Sequence, residues 1–153
     1  MKVVDIMDKI NLIISSCLCG NNTKYNGGNN LIDNLELLKE KFNLITICPE
    51  VFGGLSTPRN PSEIVGQKVL SNKGVDVTEN FYNGANKAVE ILKSYNAKYA
   101  LLKEGSPSCG VHKIYDGTFS GVKIPGSGIT TNMFKELGIE IYSENEIEEL
   151  LKI

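Results

Sequence analysis

The sequence predicts an α/β fold, a single-domain three-layer sandwich around a mostly parallel, Rossmann-like sheet. Three observations predict it. Short apolar runs of strand type alternate with amphipathic stretches of helical period, in the order β-α-β-loop-α-β-loop-α-β-α, which argues parallel strands joined by right-handed crossovers. Clusters of Gly, Pro, Asn and Ser bound the apolar runs, as they bound buried strands. The 153 residues, 1–153, suffice for one domain with its own core, and no repeat, low-complexity tract or linker divides them. A doubly wound strand order of 2-1-3-4 follows as the expectation.

Residues 1–11 mix charges with Val4, Ile6, Met7 and Ile10 and read as an N-terminal extension, either an amphipathic helix or an extra strand. Residues 11–16 are rich in β-branched side chains and form the first strand. It ends at Cys17-Leu-Cys-Gly20, followed by a polar loop to Gly28. Apolar positions 31, 32, 35, 37, 38 and 42 predict a helix, and residues 44–48 a second strand. Residues 49–61 hold three prolines and two glycines, which argues against a regular helix or central strand there. Long ordered loops of this kind are usually functional.

Residues 62–78 predict a small hairpin or turn, around 67–70 and 75–77. Thr78 opens a helix that runs to about Tyr95, with Phe81, Ala85, Ala88, Val89 and Leu92 on one face. Residues 98–103 form the third strand, leading through a loop of small residues to Cys109. A glycine-rich loop spans 112–121. Ser127 is the expected cap of a helix over 129–137 closed by Gly138, residues 139–143 are the fourth strand, and Ser143 caps a final helix over 144–152.

Composition narrows the class. A hydrophobic fraction of 41% and a charged fraction of 22% are those of an ordinary globular protein. Fifteen Lys and one Arg face eighteen acids, for a net charge of −2, so no basic footprint for nucleic acid is visible. No stretch approaches the ~18 apolar residues of a membrane span. Residues 12–17 loosely resemble a lipoprotein cleavage site, but Asp5 and Asp8 interrupt the segment before them, and Leu12 to Ile14 falls short of the roughly 7–15 apolar residues required. A cytoplasmic, reducing setting is therefore expected, where cysteines serve metals or catalysis more often than disulfides.

Four cysteines, 17, 19, 48 and 109, form no C-x-x-C pair. Cys17 follows the first strand, Cys48 ends the second, and Cys109 lies in the loop after the third. In a parallel sheet these loops open on one edge. With strands ~4.7–4.9 Å apart, the three thiols can converge within roughly 5–10 Å. Buried structural thiols are the bland alternative, but three at equivalent strand ends argue a shared metal centre. All-thiolate ligation suits zinc or iron–sulfur. His112, the single histidine, offers a fourth ligand for zinc, whereas three thiolates on a cluster leave one iron open. Cys19, one residue removed from Cys17, points differently in an extended segment and reads as structural or as a spare ligand.

Polar groups surround these positions. Glu50 and Glu104 stand beside Cys48 and at the end of the third strand, where negative neighbours would raise a carboxyl's pKa and suit it to acid/base work. For Glu104 a salt bridge to a lysine is the equal alternative. Ser106 and Ser108 flank Pro107 and offer hydroxyls, with backbone capping as the ordinary role of loop serines. Arg59, in a rigid Pro-Arg-Asn-Pro segment, can hold a carboxylate or phosphate at two points. Ser127-Gly128 before a helix can receive an anion.

Eight stretches together resemble one family, in order over residues 12–144: Ser15-Ser-Cys-Leu18, Lys24-Tyr-Asn-Gly-Gly28, Cys48-Pro-Glu-Val-Phe-Gly-Gly-Leu55, Thr57-Pro-Arg59, Asp76-Val-Thr78, Lys103-Glu-Gly-Ser-Pro-Ser-Cys-Gly110, Ile114-Tyr-Asp-Gly-Thr-Phe-Ser-Gly121 and Gly126-Ser-Gly-Ile-Thr130. They are similar to the DUF523, or thiouracil desulfurase (TudS-like), family. The resemblance implies a [4Fe-4S] cluster bound by Cys17, Cys48 and Cys109, with one iron not ligated by protein. It implies non-redox desulfuration of thiouracil, thiouridine or its monophosphate, with C=S replaced by C=O and sulfide carried off on the open iron. The family's assisting residues fall on Glu50 and Ser106, and Arg59 and Ser108 are left as substrate contacts. Cys19 stands where the family commonly has leucine, and Gly105 where a larger polar residue is usual.

Arg59 and the Ser127 helix start point to a phosphate, whereas the mild negative charge and missing accessory domain weigh against a large thiolated tRNA. No membrane partner is expected. Two rival readings fit the same residues: a metal- or sulfide-binding module without turnover, and a thiol hydrolase or transferase with Cys109 as nucleophile and His112 as its base.

Overall fold

The computed structural model describes residues 9–153, so most of the expected extension over residues 1–11 lies outside the described residues. Four parallel strands form the central sheet: β1 (Ile10–Ser15), β2 (Phe42–Ile47), β5 (Tyr99–Leu102) and β8 (Glu140–Ser143). Their order is β2-β1-β5-β8, the expected 2-1-3-4. Ile10 pairs with Phe42, Leu12 with Tyr99, and Tyr99 with Glu140.

Both faces of the sheet are covered, which is why β1 carries an unbroken apolar run. On one face, Ile13, Ile47, Ala100 and Leu102 meet Ala88 and Leu92 of α3 (Thr78–Ser94) and Phe134 of α4 (Ile129–Glu136). On the other, Leu12, Ile14 and Leu101 meet Leu35 and Leu38 of α1 (Leu35–Lys41), together with Ile147 and Leu150 of α5 (Ile147–Leu151). Phe81 and Ala85 of α3 also bury Val69 of a hairpin formed by β3 (Ser62–Val65) and β4 (Lys68–Ser71). Each fully buried Leu, Ile or Phe contributes ~1.5–3 kcal/mol. Among the described residues no helix is long and apolar enough to cross a membrane.

Several local expectations are corrected. The first helix is shorter than residues 31–42, because Leu31 and Leu37 are exposed and Phe42 begins β2 without an intervening loop. Phe42 is apolar for the strand, where it is 1% exposed. Within residues 49–61 a single helical turn forms, α2 (Pro49–Phe52). Pro49 permits it because the first helical position needs no N–H partner. The hairpin forms within the expected residues 62–78, its second strand near 67–70 and its first over 62–65, while residues 75–77 contribute only an isolated bridge from Leu70 to Asp76.

Part of the expected loop over 112–121 also pairs, as β6 (Lys113–Tyr115) with β7 (Lys123–Pro125). The cap of α4 is Gly128, not Ser127, whose hydroxyl donates to the Val111 carbonyl instead. The last helix is split into a 3-10 turn over Glu144–Glu146 and α5, and Ser143 caps it in a capping box with Glu146.

Candidate metal centre and active-site cleft

A cleft of about 270 Å³ opens where β1, β2 and β5 end. Cys17, Cys48 and Cys109 all line it, as do Glu50, Arg59, Glu104 and Ser106. The topology accounts for this, since each strand delivers its following loop to the same edge.

Each cysteine is held differently. Cys17 sits in a 3-10 turn (Ser16–Cys19), its carbonyl accepting from the N–H of Asn30 (2.9 Å) while the Asn30 amide donates to Cys17 Sγ (3.4 Å). Burial pushes the Cys17 thiol up; the Asn30 hydrogen bond opposes this and nearby Cys48 adds to it. Cys48 leaves β2 as the residue before α2. That turn is seated against α3 so closely that a Cβ on Gly84 would lie 1.7 Å from the Pro49 carbonyl oxygen. Asn80 and Lys87 of α3 donate to the carbonyls of Gly53 (2.8 Å) and Phe52 (2.9 Å), satisfying the end of the turn.

The Cys109 loop is bound on three sides. Glu104 Oε1 accepts the backbone N–H of Val111 (2.7 Å), His112 (2.8 Å) and Lys113 (3.0 Å), with a longer contact from Gly105 (3.4 Å). Ser106 Oγ accepts the N–H of Ser108 (3.0 Å) and Cys109 (3.1 Å). The start of α4 turns its free N–H groups to the same loop. Gly128 donates to the Gly110 carbonyl, Ile129 to Pro107 and Thr130 to Ser108, at 2.8, 2.9 and 2.9 Å. Gly128 is required there, because a Cβ would meet the Ser108 backbone at 2.4 Å. Burial pushes the Cys109 thiol up to about 12, opposed by a Ser15 hydrogen bond and reinforced by Glu50 and Cys17.

Glu50 does not stand among negative neighbours alone. Arg59 Nε donates to its Oε1 at 3.0 Å, and both side chains are largely buried. The remaining Arg59 contacts are the Thr23 carbonyl (2.9 Å), Thr57 Oγ1 (3.1 Å) and the Ser56 carbonyl (3.3 Å). The guanidinium expected to grip a substrate anion therefore grips a protein carboxylate. Ser106 Oγ donates to Glu50 Oε2 at 3.4 Å.

Four other expected groups lie elsewhere. Ser108 is 1% exposed, shares a hydrogen bond with Thr130 Oγ1 (3.0 Å), and is not part of the cleft wall. His112 pairs with Glu146 (2.7 Å) and is likewise outside the wall, so it is placed neither as a fourth ligand nor as a base for Cys109. Cys19 packs against the core beside α1, away from the cleft. The anion site expected at Ser127-Gly128 is filled by the loop carbonyls just described.

Sequence reasoning missed Thr23, Asn30, Glu63 and Tyr115, which also line the cleft. Thr23 and Asn30 lie in a polar loop without periodicity, and Glu63 is a buried acid in a short strand. No local signal marked those three, while Tyr115 lies within the family-like stretch over residues 114–121 without a role being read for it.

The donor set suits a soft metal. Among the described residues, no group of three or more His, Cys, Asp or Glu is gathered as a single ion requires. Three thiols lining one cleft are the donor set by which proteins hold an iron–sulfur cluster. Thr23 Oγ1 is buried without a hydrogen-bond partner, the single such side-chain atom among the described residues. A guest bearing sulfide acceptors would satisfy it. The residues present therefore fit an iron–sulfur cluster.

Comparisons with known proteins agree. The family model described as 2-thiouracil desulfurase matches residues 12–146. The "Uncharacterized protein YbbK" of Bacillus subtilis (strain 168) is 41% identical over 150 residues, covering 92% of this chain and 99% of the relative. A solved structure described as a "[4Fe-4S]-dependent thiouracil desulfidase TudS (DUF523Vcz)" matches with a TM-score of 0.88 and 41% identity, over 93% of this chain and 95% of the other. Thiols at three strand ends, an acid–hydroxyl pair lining the same cleft and a matching family model over nearly the whole fold lead to one conclusion: the chain belongs to the 2-thiouracil desulfurase family.

Proposed function

We propose that the protein replaces C=S by C=O in a thiolated uracil without net redox change, using a [4Fe-4S] cluster held by Cys17, Cys48 and Cys109 with one iron free of protein ligands. The observation that carries this reading is the meeting of three thiols with the Glu50–Ser106 pair in one cleft. When bound, the cluster supplies a soft Lewis acid that prefers sulfur to oxygen.

The chain's own residues handle water and protons. Glu50 is oriented by Arg59 and takes a proton from the water that adds to the thiocarbonyl carbon; the C–S bond then breaks, C=O forms, and sulfur departs at the sulfide level with the protons of that water. Ser106 Oγ already accepts two backbone N–H bonds, which leaves its proton as the free interaction. Its 3.4 Å contact to Glu50 is long enough to be redirected to the developing anion on the substrate.

The cleft favours an uncharged base over a nucleotide. Arg59 is committed to Glu50, Lys103 to Glu144 (2.7 Å), and the start of α4 to the Cys109 loop. The last cation of the lining, Lys24, lies 5.9 Å over the ring of Tyr25. Glu50, Glu63 and Glu104 line the same space and would repel a phosphate. A cleft of about 270 Å³ that also has to hold the cluster admits a small substrate rather than a folded RNA.

Purified without air, the protein should be brown, and alanine at Cys17, Cys48 or Cys109 should lose iron. It should turn over 2-thiouracil with a higher kcat/KM than thiouridine monophosphate. An iron-free, colourless and fully active protein overturns the cluster, and the reverse substrate ranking overturns the choice of base.

A further inference from the structure

Glu63 stands out among the cleft residues with no part in the chemistry above. It lies on β3 and is only 8% exposed. One oxygen is committed: Oε1 accepts the backbone N–H of Gly117 (3.0 Å) and Phe119 (3.2 Å), tying the turn between β6 and β7 to β3. Among the described residues Oε2 takes no hydrogen bond, and it is not one of the buried atoms left without a partner, so it keeps contact with solvent. The space that this largely buried side chain borders is the cleft, which it lines beside Tyr115.

We propose that Glu63 is the specificity-determining residue of the cleft, its Oε2 accepting a ring N–H of the thiolated pyrimidine. The inference rests on the desulfuration reading and deepens it. A thiolated uracil carries two ring N–H donors and no acidic substituent. A carboxylate held rigid on one oxygen and free on the other is the acceptor such a ring needs, and Tyr115 adds an aromatic surface beside it. Phosphates and carboxylates are rejected by the same charge. Burial strengthens the discrimination, because a ligand lacking the N–H leaves the carboxylate oxygen without a partner.

The test compares 2-thiouracil with its 1-methyl and 3-methyl derivatives, using wild-type holoenzyme and Glu63→Gln. The glutamine keeps an oxygen for Gly117 and Phe119 but turns an amide N–H toward the ligand. In the wild type, methylation at one of the two nitrogens should lower kcat/KM on the order of 10- to 100-fold, mainly through KM. In Glu63→Gln, 2-thiouracil itself should show a raised KM at unchanged iron content, and the same methylation should cost much less.

Equal methylation penalties in both proteins overturn the inference and leave Glu63 as a turn anchor. Where Glu63→Gln does not fold, the wild type decides: full tolerance of both methylated substrates overturns the inference, and selective rejection of one supports it. A wild-type holoenzyme inert to 2-thiouracil overturns the desulfuration reading, and this inference with it.

Discussion

Glu50 is the residue whose surroundings most define what the cleft can do. Its two oxygens face different partners, Arg59 on one and Ser106 on the other. Replacing Glu50 by Gln or Ser106 by Ala should leave iron content intact and lower kcat by ~10²–10⁴, the range for a lost general acid or base. Iron analysis alongside single-turnover rates checks it, and a variant that sheds iron would mark a scaffold role instead. Away from the cleft, burial alone would raise the Glu146 carboxyl, but the Ser143 backbone N–H and His112 outweigh it and hold it below its ordinary value of 4.5. A depressed carboxyl stabilises the fold above its unfolded pKa and loses that contribution as pH falls. Wild type should therefore melt slightly higher than Glu146→Gln at neutral pH, by well under ~1 kcal/mol given its exposure, and the two should converge below pH 4.5.

Among elements, α2 and α3 set the position of Cys48 and Glu50. Two glycines allow their close approach, Gly84 under the Pro49 carbonyl and Gly53 under that of Asn80. Gly84→Ala cannot be absorbed by a side-chain shift, because its neighbour is backbone. It should cost ~1–3 kcal/mol or more in a denaturant melt and lower activity even at full iron content. α3 was legible through its long helical period, and the sheet strands through apolar runs bounded by turn residues that alternate with helices. The sequence hid α2, β6 and β7, which are three or four residues each and are held by partners distant in the chain. The convergence of the three cysteines could be read from their places at strand ends, whereas position alone offered Glu104 and Ser108 as readily as Glu50 and Ser106, which the family resemblance singled out. The jobs of Arg59, Glu104 and Ser108 could not be read, since they depend on which acceptor or donor the fold brings opposite each side chain.

For the molecule as a whole, the strand order decides where the chemistry collects, and that order followed from crossover rules rather than from any single residue. Charge matters at this scale too. Arg59 and the helix start that suggested a phosphate in the sequence are engaged within the fold, which is why a neutral ring is the proposed substrate. The Cys109 loop carries a further consequence. Its backbone is tied by Glu104, Ser106 and the first turn of α4, all of them groups of the chain itself. Nothing in that arrangement requires the metal to order it, in contrast to zinc fingers, where metal binding and folding are one event. The cluster is then a replaceable part: protein bleached in air should keep its far-ultraviolet circular dichroism and regain full activity on anaerobic iron and sulfide, with no refolding step. A bleached sample that unfolds would mean that cluster and fold stand or fall together. Recovery of that kind would make oxygen damage a matter for repair rather than for resynthesis.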